Sequence, residues 1–154
     1  MANYYSDSLN AKRLQKCYAI APKRVKQFLK AEITFVLDRT NADDIVLDLG
    51  CGYGRVSARL LKKAKSVAGI DISKENIQLA EKFVGNAKNC KFYEMDAIDL
   101  KFNDGVFDFV ICIQNGISAF KVDPESLLKE AIRVTRRKGI ILFSSYSEKF
   151  GNTG

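Results

Sequence analysis

Apolar positions recur along this chain at two spacings, and the change between them divides it. Between Pro22 and Asp38, Val25, Phe28, Leu29, Ile33, Val36 and Leu37 fall three and four apart, the stripe of an amphipathic helix. A shorter helix is predicted from Asn10 to Tyr18. From about residue 44 the pattern becomes short, continuous apolar runs alternating with helical stripes. Ile45 to Leu49 reads as a buried parallel strand. A helix follows from about Gly54, with Val56, Leu60, Leu61 and Ala64 on one face. Ser66 to Ile70 is the second strand, and Ser73 then caps a helix carrying Ile77, Ala80 and Val84.

Lys91 to Glu94 is a shorter third strand, and Val106 to Ile113 a long fourth. The polar stretch from Ala97 to Gly105 reads as a loop. Asp123-Pro124 opens a helix with a capping acid and a proline in its first turn, and Leu127, Leu128, Ala131 and Ile132 give it a buried face. Gly139 is expected to end that helix, with Arg136, Arg137 and Lys138 in its last turn, and Ile140 to Tyr146 to form the fifth strand. Strands alternating with helices predict an α/β domain with a parallel sheet. Residues 1–40 are expected to be a helical lid and residues 41–154 the core.

Composition narrows the chemistry. The chain has 154 residues, four cysteines and no histidine. Without histidine, Ser-His-Asp and Cys-His hydrolysis are excluded, and any general base is Asp, Glu, Lys, Tyr or Cys. Cys17, Cys51, Cys90 and Cys112 are widely spaced and form no Cys-x-x-Cys pair, so no metal site is expected and the thiols read as reduced. No apolar run is long enough to span a bilayer and no signal-peptide pattern opens the chain, which predicts a cytoplasmic protein with no membrane association. The formal charge of +7 raises an RNA-binding reading. Much of that charge falls at predicted helix ends, where cations complement the helix dipole. Lys12, Arg13, Lys16, Lys23, Arg24, Lys26 and Lys30 form the remaining cluster, better read as a solvated helix face, with RNA the less favoured alternative.

The chemistry-bearing motif is Val46-Leu47-Asp48-Leu49-Gly50-Cys51-Gly52-Tyr53-Gly54, followed after a helix by Gly69-Ile70-Asp71. A strand running into a glycine-rich turn, with an acid closing the next strand, cradles a nucleoside at the edge of a parallel sheet. A dinucleotide turn wants a third glycine where this chain has Arg55. Asp48 would also sit poorly beside a pyrophosphate and better beside a cationic centre. A nicotinamide-dependent oxidoreductase is thereby disfavoured.

These residues resemble the class I S-adenosylmethionine-dependent methyltransferases, and the resemblance covers roughly residues 42–147. It continues through Phe92-Tyr93-Glu94-Met95-Asp96-Ala97, Phe107-Asp108-Phe109-Val110-Ile111-Cys112 and Gly139-Ile140-Ile141-Leu142-Phe143. It implies a three-layer Rossmann-like fold with sheet order 3-2-1-4-5. The cofactor implied is S-adenosylmethionine, with S-adenosylhomocysteine as product. Cofactor contacts would come from Asp48, Gly50, Cys51, Gly52, Arg55, Asp71, Ile72, Asp96, Ala97 and Gln114. By the resemblance, Asp71 takes both ribose hydroxyls, Ile72 packs on adenine, Asp96 accepts from the exocyclic amine and the Ala97 N–H approaches a ring nitrogen.

The acceptor pocket is expected just beyond the fourth strand, at Gln114-Asn115-Gly116-Ile117-Ser118. That segment departs from the Asn/Asp-Pro-Pro-Tyr sequence of enzymes that methylate amino groups of nucleic acids and proteins. A small-molecule acceptor is therefore the leading expectation, and RNA, protein or a non-catalytic binding module the alternatives. Tyr5 and Tyr18 in the lid, with Asn115 and Ser118, are the candidate substrate residues; Tyr4 and Arg24 lie in the same region. The family's sixth and seventh strands have no counterpart here, which would leave the fifth strand as an apolar edge; the readings are a truncated chain, an internally shortened one, or an edge covered by a partner such as a second copy in a homo-oligomer.

Overall fold

The computed structural model describes residues 11–114 and 121–145. The order is α1 (Ala11–Ile20), α2 (Lys23–Arg39), β1 (Ile45–Leu49), α3 (Arg55–Leu60), β2 (Ser66–Asp71), α4 (Lys74–Val84), β3 (Cys90–Glu94), β4 (Phe107–Cys112), α5 (Pro124–Val134) and β5 (Thr135–Phe143). The five strands form one sheet in the order β3-β2-β1-β4-β5, and every pairing is parallel. The expected three-layer doubly wound architecture is therefore present. Among the described residues there is no sixth or seventh strand.

Each face of the sheet carries its own core. On one face Ile33 and Val36 of α2 meet Val56 and Leu60 of α3 over Val46, Val67, Phe109 and Ile111. On the other, Leu127, Ala131 and Val134 of α5 pack with Leu100 and Phe107 over Leu47, Leu49 and Val110. Both faces of β1 and β4 are covered, which is why those strands are apolar but for Asp48 and Asp108. Of the helical stripe expected in α2, Leu29, Ile33 and Val36 are buried while Val25 is exposed. Burying those three side chains contributes about 1.5–3 kcal/mol each, tying the helix before β1 to the sheet. Ser73 and Asp123 cap α4 and α5 through side-chain oxygens that accept from Asn76 N and Ser126 N.

The boundary between α5 and β5 departs from the expectation. The helix stops at Val134, the strand starts at Thr135, and Arg136, Arg137 and Lys138 lie in the strand. Thr135 closes the helix, its Oγ1 donating to Ala131 O at 2.6 Å. β5 then bulges: Phe107 pairs with Thr135 but Phe109 pairs with Ile140. Lys138 has φ 67°, and a side chain on Gly139 would come within 2.5 Å of Thr135 Cγ2 and 2.9 Å of the Asp108 carbonyl. Gly139 serves the bulge and not a helix cap. Arg136 forms an ion pair with Asp108 across it.

Candidate active site

β1 carries Asp48 one residue before its end at Leu49 and passes into a loop whose three glycines all lie in the left-handed region, with φ 70° at Gly50, 54° at Gly52 and 86° at Gly54. Only glycine enters that region without strain, so the alternation of glycines is a conformational requirement. The loop is anchored to β2 at both levels: Cys51 N donates to Ile70 O at 2.8 Å, and Gly52 N donates to Asp71 Oδ2 at 3.0 Å. Gly54 gives room beneath it, where a side chain would meet Ala80 and the Phe92 ring at 3.2 Å. Above the loop sits α1, whose Leu14 Cδ2 lies 2.9 Å from where a side chain on Gly52 would begin.

Asp48 is 3% exposed, and Ser57 Oγ donates to its Oδ2 at 2.7 Å. Burial pushes its carboxyl up to about 7; the nearby Asp71 charge adds to the effect, while Ser57 and Arg55 oppose it. Asp71 also lies above the ordinary carboxylate range because it is buried. The opposing hydrogen bonds come from Ser73 N (2.9 Å) and Asn76 Nδ2 (3.2 Å) to Oδ1, and from Gly52 N to Oδ2. Oδ1 thus accepts two hydrogen bonds and Oδ2 one, so it is Oδ2 that retains accepting capacity for a hydroxyl donor.

At the far side of β1, Gln114 follows β4 with φ 62°, a left-handed conformation held by its N–H donating to Ser144 Oγ at 2.9 Å. Tyr18 of α1 donates its hydroxyl to Gln114 Oε1 at 3.1 Å, and the Arg55 guanidinium lies 4.2 Å from the Tyr18 ring centre. Tyr18, Tyr53 and Phe83 stack edge to face, with centroids 6.1 and 5.2 Å apart. Several buried polar atoms here have no hydrogen-bond partner: Nε and Nη2 of Arg55, Nε2 of Gln114 and both carboxylate oxygens of Glu32.

The sheet thus brings Asp48, Gly50, Cys51, Gly52, Arg55, Asp71 and Gln114 to one edge, with Tyr18 over them. Ile72 is half-buried just beyond β2; beyond β3, Asp96 is exposed, its Oδ1 accepting from Ile98 N at 3.1 Å, and Ala97 is fully buried. Tyr5, Asn115 and Ser118 lie outside the described residues. Cys51 and Cys112 are buried and free. No group of three or more metal-ligating side chains occurs among the described residues, and no described helix is long and apolar enough to cross a membrane. Sequence reasoning passed over Ser57, Asn76 and Glu32. Each is a polar residue on an otherwise apolar helix stripe, and that misfit was the available signal.

An acid-and-glycine loop, an acid closing the neighbouring strand and a topological switch between β1 and β4 define a nucleoside-binding α/β domain. Among known proteins, the profile of the family described as "Methyltransferase domain" matches residues 46–139. The chain belongs to that family, the class I S-adenosylmethionine-dependent methyltransferases. It is 32% identical over 138 residues to the 2-methyl-6-phytyl-1,4-hydroquinone methyltransferase of Synechocystis, covering 83% of this chain and 42% of that protein. It is 26% identical over 141 residues to the ubiquinone biosynthesis O-methyltransferase of Coxiella burnetii, covering 91% and 56%. A solved S-adenosylmethionine-dependent methyltransferase of Methanosarcina mazei superposes with TM-score 0.62 at 31% identity, covering 71% of this chain and 55% of that one. The chain spans about half the length of the curated relatives it matches. The family's cofactor fits the site: unpartnered buried donors on Arg55 and Gln114 and ionisable Asp48 and Asp71 face a glycine cradle that a Cβ would fill.

Proposed function

We propose that this chain transfers a methyl group from S-adenosylmethionine to a small-molecule acceptor. The observation that carries the reading is the joint geometry of the glycine loop and the Asp71 carboxylate, locked together by the Gly52 N–H. When bound, the cofactor supplies a methyl group on a positively charged sulfur, already activated for attack. Asp71 takes the ribose hydroxyls, Ile72 lies against the adenine, and Asp96 with the Ala97 N–H reads its edge. Gly50, Cys51 and Gly52 let the backbone approach the ligand closely. Asp48, in its ionised form, supplies a negative field at the loop where the sulfonium would lie.

The chain's own contribution to the reaction is then positional. The end of β4 at Gln114, with Asn115 and Ser118 beyond it, orients the acceptor, while Tyr5 and Tyr18 of the helical lid exclude water from the line of attack. The small-molecule assignment is supported by the two quinol-pathway names among the relatives and by the absence of the Asn/Asp-Pro-Pro-Tyr sequence after β4. Titration calorimetry with S-adenosylmethionine, S-adenosylhomocysteine and NADH tests the cofactor. Micromolar binding of the two sulfur nucleosides alone is expected, and NADH binding in their place would overturn the reading. Release of S-adenosylhomocysteine with a panel of phenolic acceptors then tests the transfer.

A further inference from the structure

The chain between β3 and β4 is held to α5 through one arginine. Arg133 Nη1 donates to Phe102 O and to Asp104 Oδ1, both at 2.8 Å, and Nη2 donates to Leu100 O at 2.8 Å. Nε and Nη2 also grip the Glu130 carboxylate as a fork, at 2.7 and 2.9 Å. Every N–H of the guanidinium is thereby engaged. Glu130 Oε2 accepts from Leu100 N at 2.8 Å, and Gly105 N donates to the Arg133 carbonyl at 2.9 Å. At 31% and 19% exposure, the two side chains are sheltered from the solvent that makes most surface ion pairs worth little. At the start of the same loop, Met95 N donates to Asp71 O at 3.0 Å. Asp96-Ala97-Ile98-Asp99 is therefore slung between the end of β2 and the Glu130–Arg133 pair. Within it, Asp96 Oδ1 accepts from Ile98 N and Asp96 O from Asp99 N, each at 3.1 Å. That is a local turn, and its place in the molecule is set by what holds its ends.

We propose that Arg133, with Glu130, is a positioning residue for base selection: by fixing Leu100 it sets where the Asp96 carboxylate and the Ala97 N–H stand, and so lets the site tell a 6-amino purine from a 6-oxo one. The inference rests on the cofactor reading above, which puts Asp96 and Ala97 at the edge of the adenine. Adenine offers a donor at its exocyclic amine and an acceptor at the adjacent ring nitrogen, and hypoxanthine reverses both. A carboxylate beside a backbone N–H complements the first base and opposes the second. That contrast holds only while acceptor and donor keep their places to within about 0.5 Å, which is what a fully engaged arginine on the loop's backbone supplies. Both residues of the pair act on the base through the loop.

The test compares three ligands by calorimetry, below the unfolding transition of each variant. These are S-adenosylhomocysteine, its 6-oxo counterpart S-inosylhomocysteine, and its 2′-deoxy analogue, which reports on the ribose contact instead. The wild type is expected to prefer S-adenosylhomocysteine over the inosine compound by roughly tenfold or more. Arg133→Lys keeps the charge but cannot reproduce the fork, and Glu130→Gln keeps an acceptor for Leu100 N but breaks the ion pair. In each, the base preference should fall to within about threefold, while the preference over the 2′-deoxy analogue stays at its wild-type value. In an Asp96→Ala background, Arg133→Lys should change the base preference no further. Asp104→Asn, at the 82% exposed end of the network, is the milder variant that carries the test if the other two do not fold, and should lower the preference part of the way. Folded variants that weaken both bases by one factor, or that keep the wild-type preference, would show a merely structural clamp and overturn the proposal, with the cofactor reading intact. A wild type that binds the two bases equally would overturn it in the same way. A folded wild type that binds neither would remove the cofactor reading itself, and the positioning role with it.

Discussion

Asp71 has two duties, and they can be separated. It holds the glycine loop through Gly52 N and the start of α4 through Ser73 N and Asn76 Nδ2, and in the proposed complex it also receives the ribose. Asp71→Ala is expected to cost on the order of 1–3 kcal/mol of S-adenosylhomocysteine affinity, read as a rise in Kd by calorimetry. An unchanged Kd would sink the ribose assignment. Asp48 carries a pH signature. Its carboxyl is raised from the ordinary 3.8 to about 7, chiefly by burial, so between those values the native chain holds a proton that the unfolded chain has released. Stability from this group is therefore greatest below the unfolded value and falls as pH rises through the folded one, and Asp48→Asn should flatten that slope in thermal melts. A cationic sulfonium favours the ionised carboxylate. From about pH 6 to about pH 8 the affinity for S-adenosylmethionine should accordingly rise relative to that for neutral S-adenosylhomocysteine. A ratio that does not change with pH would mean that Asp48 does not face the sulfur.

At the scale of elements, legibility tracked locality. The glycine loop, the caps at Ser73 and Asp123 and the five strands were readable because each is written in a few adjacent residues. The α5–β5 junction was not. Arg136-Arg137-Lys138-Gly139 has the composition of a helix end, and only the β4 neighbour shows that Gly139 is needed where the bulge closes on Thr135 and Asp108. Gly139→Ala should lower the urea midpoint by the equivalent of about 1–3 kcal/mol, since the obstructing atoms include backbone carbonyls. A midpoint equal to wild type would show that the bulge can relax. The inward polar residues of the site were hidden for the same reason. Ser57, Asn76 and Glu32 acquire meaning only when another strand or helix is placed beside them, whereas Asp48 and Asp71 announce themselves at strand ends.

At the scale of the whole sheet, β5 like β3 is an edge among the described strands: it pairs only with β4, and Ile140 on it is 42% exposed. An edge strand with free backbone donors and acceptors is a template for another strand. Concentration-dependent self-association is therefore expected in sedimentation equilibrium, and Ile140→Lys should shift the population toward monomer. A wild type that stays monomeric across the accessible concentration range would refute pairing through this flank.

The packing of Leu14 on the glycine loop has a kinetic corollary. In the proposed complex a nucleoside leaning on Gly52 shares the space this side chain fills, so entry and departure are expected to displace Leu14 and the part of α1 that carries it. Residence time then belongs to the helix more than to the ligand. In the proposed reaction this predicts slow release of the spent nucleoside, and Leu14→Ala should raise its dissociation rate in stopped-flow measurements.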